Sequence, residues 1–106
     1  MSNLISDING RTDITVEQLK ALLGSDMQLI DLREEWEQPR VDELEADIIP
    51  YPHLEQYIDR IDRQRPVVMF CQVGVRSRKA IKHLKKKYGF DNLINLTGGI
   101  INWSRD

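Results

Sequence analysis

Cysteine is nearly absent from this 106-residue chain: Cys71 is the one thiol, and only two histidines, His53 and His83, accompany it. A lone cysteine excludes an internal disulfide, and this set offers no zinc-ligand spacing, so neither a metal nor a cofactor is expected. Long hydrophobic runs are also missing. None approaches the roughly 20 residues that span a bilayer, so no membrane association is expected. The opening Met-Ser-Asn-Leu-Ile-Ser-Asp-Ile-Asn-Gly lacks the basic start and apolar core of a signal peptide, which makes a cytoplasmic location the expectation. Internal repeats are absent, and the formal net charge of −2 gives no bulk basic field of the kind that marks a nucleic-acid binder. What remains, 41% hydrophobic and 30% charged, is the composition of an ordinary globular domain with room for one core.

The small net charge hides an asymmetry. Residues 1–53 carry 12 acidic and 4 basic side chains and residues 54–106 carry 5 and 11, so the halves hold −8 and +6. Such a dipole can steer an anion or an acidic protein toward the basic half, although a lysine-rich helix face is also simply well solvated.

The most informative stretch lies in that basic half. Val67-Val-Met-Phe70 follows Pro66 without a polar residue, which suits a strand buried on both faces of a parallel sheet. After Cys71 come Gln72, Val73, Gly74, Val75 and Arg76, and from Ser77 the apolar Ala80, Ile81, Leu84 and Tyr88 recur at helical spacing opposite Arg78, Lys79, Lys82 and Lys85–87. The pattern predicts strand, loop and helix, with Cys71 at the carboxyl end of a strand and the helix opening at Ser77. Ligand sites of open α/β sheets lie there. Unpaired N–H groups at a helix start, together with Arg76, favour a thiolate over an inert buried thiol.

Around this junction the chain has further recognisable pieces. Residues 1–13 form an irregular lead-in. Thr15-Val-Glu-Gln18 is a capping box opening a helix with Val16, Leu19, Leu22 and Leu23 on one stripe, ending near Gly24. Met27–Leu32 reads as a second buried strand, at whose end Asp31 and Arg33 can reach the edge that carries Cys71. Flanking Leu32, they are not expected to pair with each other if the strand continues, so each needs a partner in the loops above the sheet. The acidic 34–47 region predicts a short helix and loop, with Trp36, Val41 and Leu44 as inward anchors. Asp47–Pro50 reads as a brief strand, and Leu54, Tyr57, Ile58 and Ile61 mark a helical face. His53 reads as a solvated or capping residue at the start of that helix. His83 lies too far along its own helix to serve as a base for Cys71. Asn92–Leu96 reads as a last strand, Thr97-Gly98-Gly99 as a tight return beneath the loop, and Trp103 as a core anchor.

Four pieces in order, Leu29-Ile-Asp-Leu-Arg-Glu34, Val67-Val-Met-Phe-Cys71, Cys71-Gln-Val-Gly-Val-Arg-Ser77 and Leu96-Thr-Gly-Gly-Ile-Ile-Asn-Trp103, resemble a single-domain rhodanese over about residues 14–105. The resemblance implies a rhodanese-like α/β fold, a central mostly parallel sheet of about five short strands with helices on both faces. It implies a sulfurtransferase in which Cys71 takes sulfane sulfur from a donor and holds it as a persulfide. In that scheme the N–H groups of residues 72–76 hold the outer sulfur, Arg76 stabilises charge or binds the donor, and Asp31 and Arg33 support the loop. The donor is then thiosulfate or a persulfide-bearing protein, and an acidic sulfur-carrier protein is a candidate partner. The chain also resembles rhodanese domains attached to ubiquitin-activating-like adenylyltransferases. Two departures stand out. Val41–Pro50 replaces the family's common Gly-His-Ile-x-Gly-Ala stretch, and Gln72 and Val73 are neutral where thiosulfate-using members are often basic. Phosphatases related to this fold have an Arg six residues after the Cys, and here Ser77 stands at that position. A non-catalytic domain that docks an acidic partner through its basic helix is the other alternative.

Overall fold

A computed structural model describes residues 10–105 of the chain. Five strands, β1 (Asp13–Ile14), β2 (Gln28–Asp31), β3 (Asp47–Ile48), β4 (Val67–Phe70) and β5 (Leu93–Leu96), form one sheet in the order β1-β5-β4-β2-β3. Every pairing is parallel, and β4 lies at the centre with Val67 opposite Gln28 on one side and Leu93 on the other. A sheet of this kind needs both faces covered, and among the described residues two α-helices and three 3₁₀ segments flank it. The strand β1 begins at Asp13, within the stretch read as a lead-in; residues 1–9 lie outside the described residues.

The two faces have separate cores. On one, Val68 and Phe70 pack with Leu19 and Leu22 of α1 (Val16–Leu22), with Ile100 and with Trp103. On the other, Val67, Met69 and Cys71 pack with Ala80 and Leu84 of α2 (Val75–Tyr88) and with Leu54 and Ile61. The alternation along β4 places Cys71 on the α2 side, one residue past the strand. The expected capping box is present: Thr15 Oγ1 accepts the Gln18 N–H at 3.1 Å while Gln18 Oε1 accepts the Thr15 N–H at 2.9 Å. Trp103 is the anchor expected of it, its indole N–H donating to Glu43 at 2.9 Å.

Several expectations are corrected. The second helix starts at Val75, two residues before Ser77, because Gly74 at φ 95° turns the chain and caps it. Residues 34–47 form one 3₁₀ turn, Asp42–Leu44, and no α-helix. Leu44 is buried and Val41 packs on the core, but Trp36 is 76% exposed. The helical stretch after Pro50 is 3₁₀, Tyr51–Arg60, kinked at Tyr57, which turns that ring toward solvent while Leu54 stays buried. Among the described residues no helix is long and apolar enough to cross a membrane.

Candidate active site

Where β4 ends, the chain turns back through Cys71–Gly74 and enters α2. Cys71 is buried, and its Sγ accepts N–H bonds from Gly74 at 3.1 Å and Ser77 at 3.3 Å, with the Ser77 hydroxyl at 3.4 Å. Val75 and Arg76 occupy the first turn of α2, where N–H groups have no intrahelical acceptor, and the N–H groups of Gln72 and Val73 make no backbone bond among the described residues. The Gly74 and Ser77 N–H groups thus form a small nest on the sulfur.

The loop is held from two sides. From below, the N–H of Ile100 donates to the Cys71 carbonyl at 2.9 Å and that of Ile101 to the Gln72 carbonyl at 3.1 Å. The return through Gly98 and Gly99 lies so close that a Cβ on Gly99 would stand 2.3 Å from the Gln72 oxygen. From the side, Gln72 accepts from Arg33 NH1 at 2.9 Å and donates to the Gln38 carbonyl at 2.6 Å. Residues 34–40 thus form a wall beside the loop. Arg40 fixes that wall by donating to the carbonyls of Glu34 and Glu37 and to Asp31.

Asp31 and Arg33 do pair with each other, contrary to the expectation from strand alternation. The strand ends at Asp31, and the Arg33 side chain turns back so that Nε and NH2 each lie 3.0 Å from the Asp31 carboxylate. Both side chains are buried, so this is an interior pair and not a surface one. Its remaining donor NH1 also reaches the Pro39 carbonyl at 2.8 Å, which supplies the loop partner the sequence called for.

Arg76 is near the thiol, but its guanidinium is not free. It binds Glu37 through two bonds of 2.8 and 2.6 Å. The hydrogen bonds from Arg76 are the largest influence on Glu37 and hold its carboxyl at about 2, against an ordinary 4.5. A depressed carboxyl favours the fold above its unfolded value and loses that advantage as pH falls through the folded one. The full linkage for such a shift is about 3 kcal/mol, and solvent around the partly exposed Arg76 reduces it to about 1–2 kcal/mol. Glu37→Gln should therefore be less stable than the wild type by that amount near neutral pH. Urea titrations should show the difference fading between pH 4.5 and pH 2. A gap that stays constant over that window would separate the carboxyl from stability.

Sequence reasoning missed Glu37, Gln38, Arg40 and Asn95. Glu37 is one of a run of acidic residues and carries no local signal. Asn95 did carry one, as a polar residue inside the apolar Leu-Ile-Asn-Leu of β5. It is buried, accepts the Ser77 hydroxyl at 2.5 Å and donates to Asp13 at 3.1 Å. Of the histidines, His53 is exposed on the 3₁₀ stretch after Pro50, and His83 lies on α2 at 3.3 Å from Glu55.

The family model for the rhodanese-like domain matches residues 15–106, which includes every residue of this loop and its supports except Asp13. The chain belongs to the rhodanese-like family. A sulfurtransferase of Allochromatium vinosum is 32% identical to this rhodanese-like chain over 95 residues, covering 88% of each. The probable adenylyltransferase/sulfurtransferase MoeZ of Mycobacterium tuberculosis is 33% identical over 98 residues, 87% of this chain and 24% of that protein. The chain spans only 20% to 24% of the length of the first curated relatives it matches. Among solved structures, a rhodanese-related protein of Thermoplasma volcanium superposes with a TM-score of 0.76 at 22% identity, covering 89% of this chain and 91% of that one, and supports the fold.

Proposed function

We propose that this rhodanese-like domain is a sulfurtransferase that carries sulfane sulfur on Cys71. The observation that carries the reading is the nest itself: two N–H groups already on Sγ, with those of Gln72 and Val73 in the same loop making no backbone bond among the described residues. A thiolate attacks the outer sulfur of a persulfide donor, R–S–S⁻. The S–S bond breaks, R–S⁻ leaves, and Cys71–S–S⁻ forms with its charge on the outer sulfur. No general base is required in the transfer itself, because a thiolate attacks directly and the leaving group needs no proton. An external nucleophile then takes the outer sulfur and restores the thiolate. With no second cysteine in these 106 residues, that acceptor lies outside the domain.

The residues around the loop favour a protein donor or acceptor over a free oxyanion. Arg76, at the start of α2, is already occupied by Glu37. Alongside the loop, Val73, Val75, Arg78, Lys79 and Lys82 line a groove of about 380 Å³. Two half-exposed valines beside three cations suit an acidic protein surface, as the charge asymmetry of the chain also does. Ser77, where the related phosphatases have Arg, is buried and bonded to Asn95, so no guanidinium is available there to chelate a phosphate.

The decisive measurement is intact mass after incubation with thiosulfate and, separately, with a protein persulfide, for wild type and Cys71→Ser. The wild type should gain one sulfur atom, removable by cyanide, and more readily from the protein donor; Cys71→Ser should gain none. No adduct from either donor would overturn the reading in favour of a docking domain.

A further inference from the structure

The polar chain behind Cys71 is buried at Ser77 and Asn95, where an unneeded polar group is costly, and reaches solvent only at Asp13. Its order is Cys71, Ser77, Asn95, Asp13, running from the loop through α2 and β5 to β1 at the sheet edge. Asp13 as a carboxylate only accepts hydrogen bonds, so the Asn95 group facing it is the NH₂, as the 3.1 Å contact requires. The Asn95 oxygen then faces Ser77. A serine hydroxyl has one hydrogen, and the 2.5 Å bond commits it to Asn95. Ser77 therefore turns a lone pair, and not a proton, toward the sulfur 3.4 Å away.

We infer that Asn95, aligned by Asp13, is a positioning residue that acts through Ser77 to disfavour a bare anion on Cys71 Sγ relative to its neutral forms. As a thiol, Cys71 donates its S–H to Ser77 Oγ. As the inner sulfur of a persulfide it carries no charge, since the anion resides on the outer atom, and the lone pair of Ser77 is tolerated. Only the free thiolate meets that lone pair unfavourably. The relay thereby offsets part of the stabilisation from the Gly74 and Ser77 N–H groups and biases the site toward its sulfur-loaded form. This deepens the sulfurtransferase reading and rests on it for the loaded state, while its effect on the thiol is independent of any sulfur donor.

The test is the pH profile of alkylation of Cys71 by iodoacetamide, which reads the thiolate whether or not the protein transfers sulfur. In Asn95→Leu the Ser77 hydroxyl is released and can turn its hydrogen toward Sγ, 3.4 Å away. The midpoint should move to lower pH by about one unit, a roughly tenfold faster alkylation below it. Asp13→Asn frees the Asn95 amide to turn and should move the midpoint in the same direction. Loss of a negative charge at Asp13 alone would do so too, so both substitutions are repeated in a Ser77→Ala background, where the relay predicts that the Asn95→Leu shift disappears and the Asp13→Asn shift shrinks. The other charges around the thiol, Arg76 with Glu37 and Arg33 with Asp31 and Arg40, are common to every variant, as is Arg78, 3.4 Å from Asp13. An unchanged midpoint in Asn95→Leu, or a shift equally large without Ser77, overturns the inference. Should Asn95→Leu fail to fold, Asp13→Asn at the sheet edge decides it by the same comparison. Failure of sulfur loading with a relay-dependent midpoint would overturn the function and leave the relay standing.

Discussion

Arg33→Met is expected to lower stability by about 3–5 kcal/mol, the usual penalty for removing one partner of a buried ion pair. Arg33 is the largest fully buried side chain of the described residues, with no exposed surface. Its guanidinium joins three segments at once: the end of β2 through Asp31, the 34–40 wall through the Pro39 carbonyl, and the Cys71 loop through Gln72. Methionine fills a similar volume but leaves the Pro39 carbonyl and Gln72 Oε1 without that donor. The Asp31 carboxylate keeps Arg40 at 3.0 Å and its bond from the Arg33 backbone N–H at 2.9 Å, and loses the Nε and NH2 contacts, both at 3.0 Å. Because the cost comes mainly from the groups left behind, Asp31→Leu in the same chain should recover part of the loss even though Arg40 then has no carboxylate to bind. Chemical denaturation of the two single variants and the double variant measures this. A loss under about 1 kcal/mol in Arg33→Met would mean that the pair contributes no more than a surface salt bridge does.

The consequence extends to reactivity. Gln72 is fixed by Arg33 on one side and by the Gln38 carbonyl on the other, so removing Arg33 releases one of the two side-chain ties on the residue following Cys71. Sulfur loading in Arg33→Met should then fall even at temperatures where the fold persists, as expected for a reactive loop that depends on its supporting bonds.

These supports were the least legible part of the sequence. The strand at Val67–Phe70 follows from an unbroken apolar run and the helix after Gly74 from helical periodicity, both properties of neighbouring residues, and both are present. The wall at 34–40 depends on hydrogen bonds between carbonyls and arginines and on Glu37 meeting Arg76 from 39 positions away, which no local pattern encodes. Trp36 illustrates the difference. Its size suggested burial, yet the backbone around it is ordered by polar contacts and leaves the indole in solvent. Asp31 and Arg33 were placed at the right edge of the sheet, but their pairing required knowing that β2 stops at Asp31. Asn95 belonged visibly to a strand; its link to Ser77 appears only once β5 lies under α2.

Gly99→Ala should produce the second large effect, and it acts on the same loop from beneath. Gly99 sits at φ 78°, where an L side chain is strained, and its Cβ would stand 2.3 Å from the Gln72 oxygen, 2.5 Å from its carbonyl carbon and 2.6 Å from the Val73 Cα. All three neighbours are backbone atoms, so no rotamer change relieves the overlap. The left-handed conformation costs about 1–2 kcal/mol for a residue with a Cβ, and the forced displacement about 1–3 kcal/mol more. The alternative is for the Cys71–Gly74 turn to lift, which would disturb the Ile100 and Ile101 N–H bonds to its carbonyls and move the Gly74 N–H off the sulfur. A chain that keeps the loop in place would lose about 2–5 kcal/mol by denaturation. One that lets the loop rise would show a smaller loss and a Cys71 that no longer holds sulfur. Either result ties the Gly99 contact to the nest, whereas a variant with both stability and sulfur loading unchanged would show that the return beneath the loop has room to move.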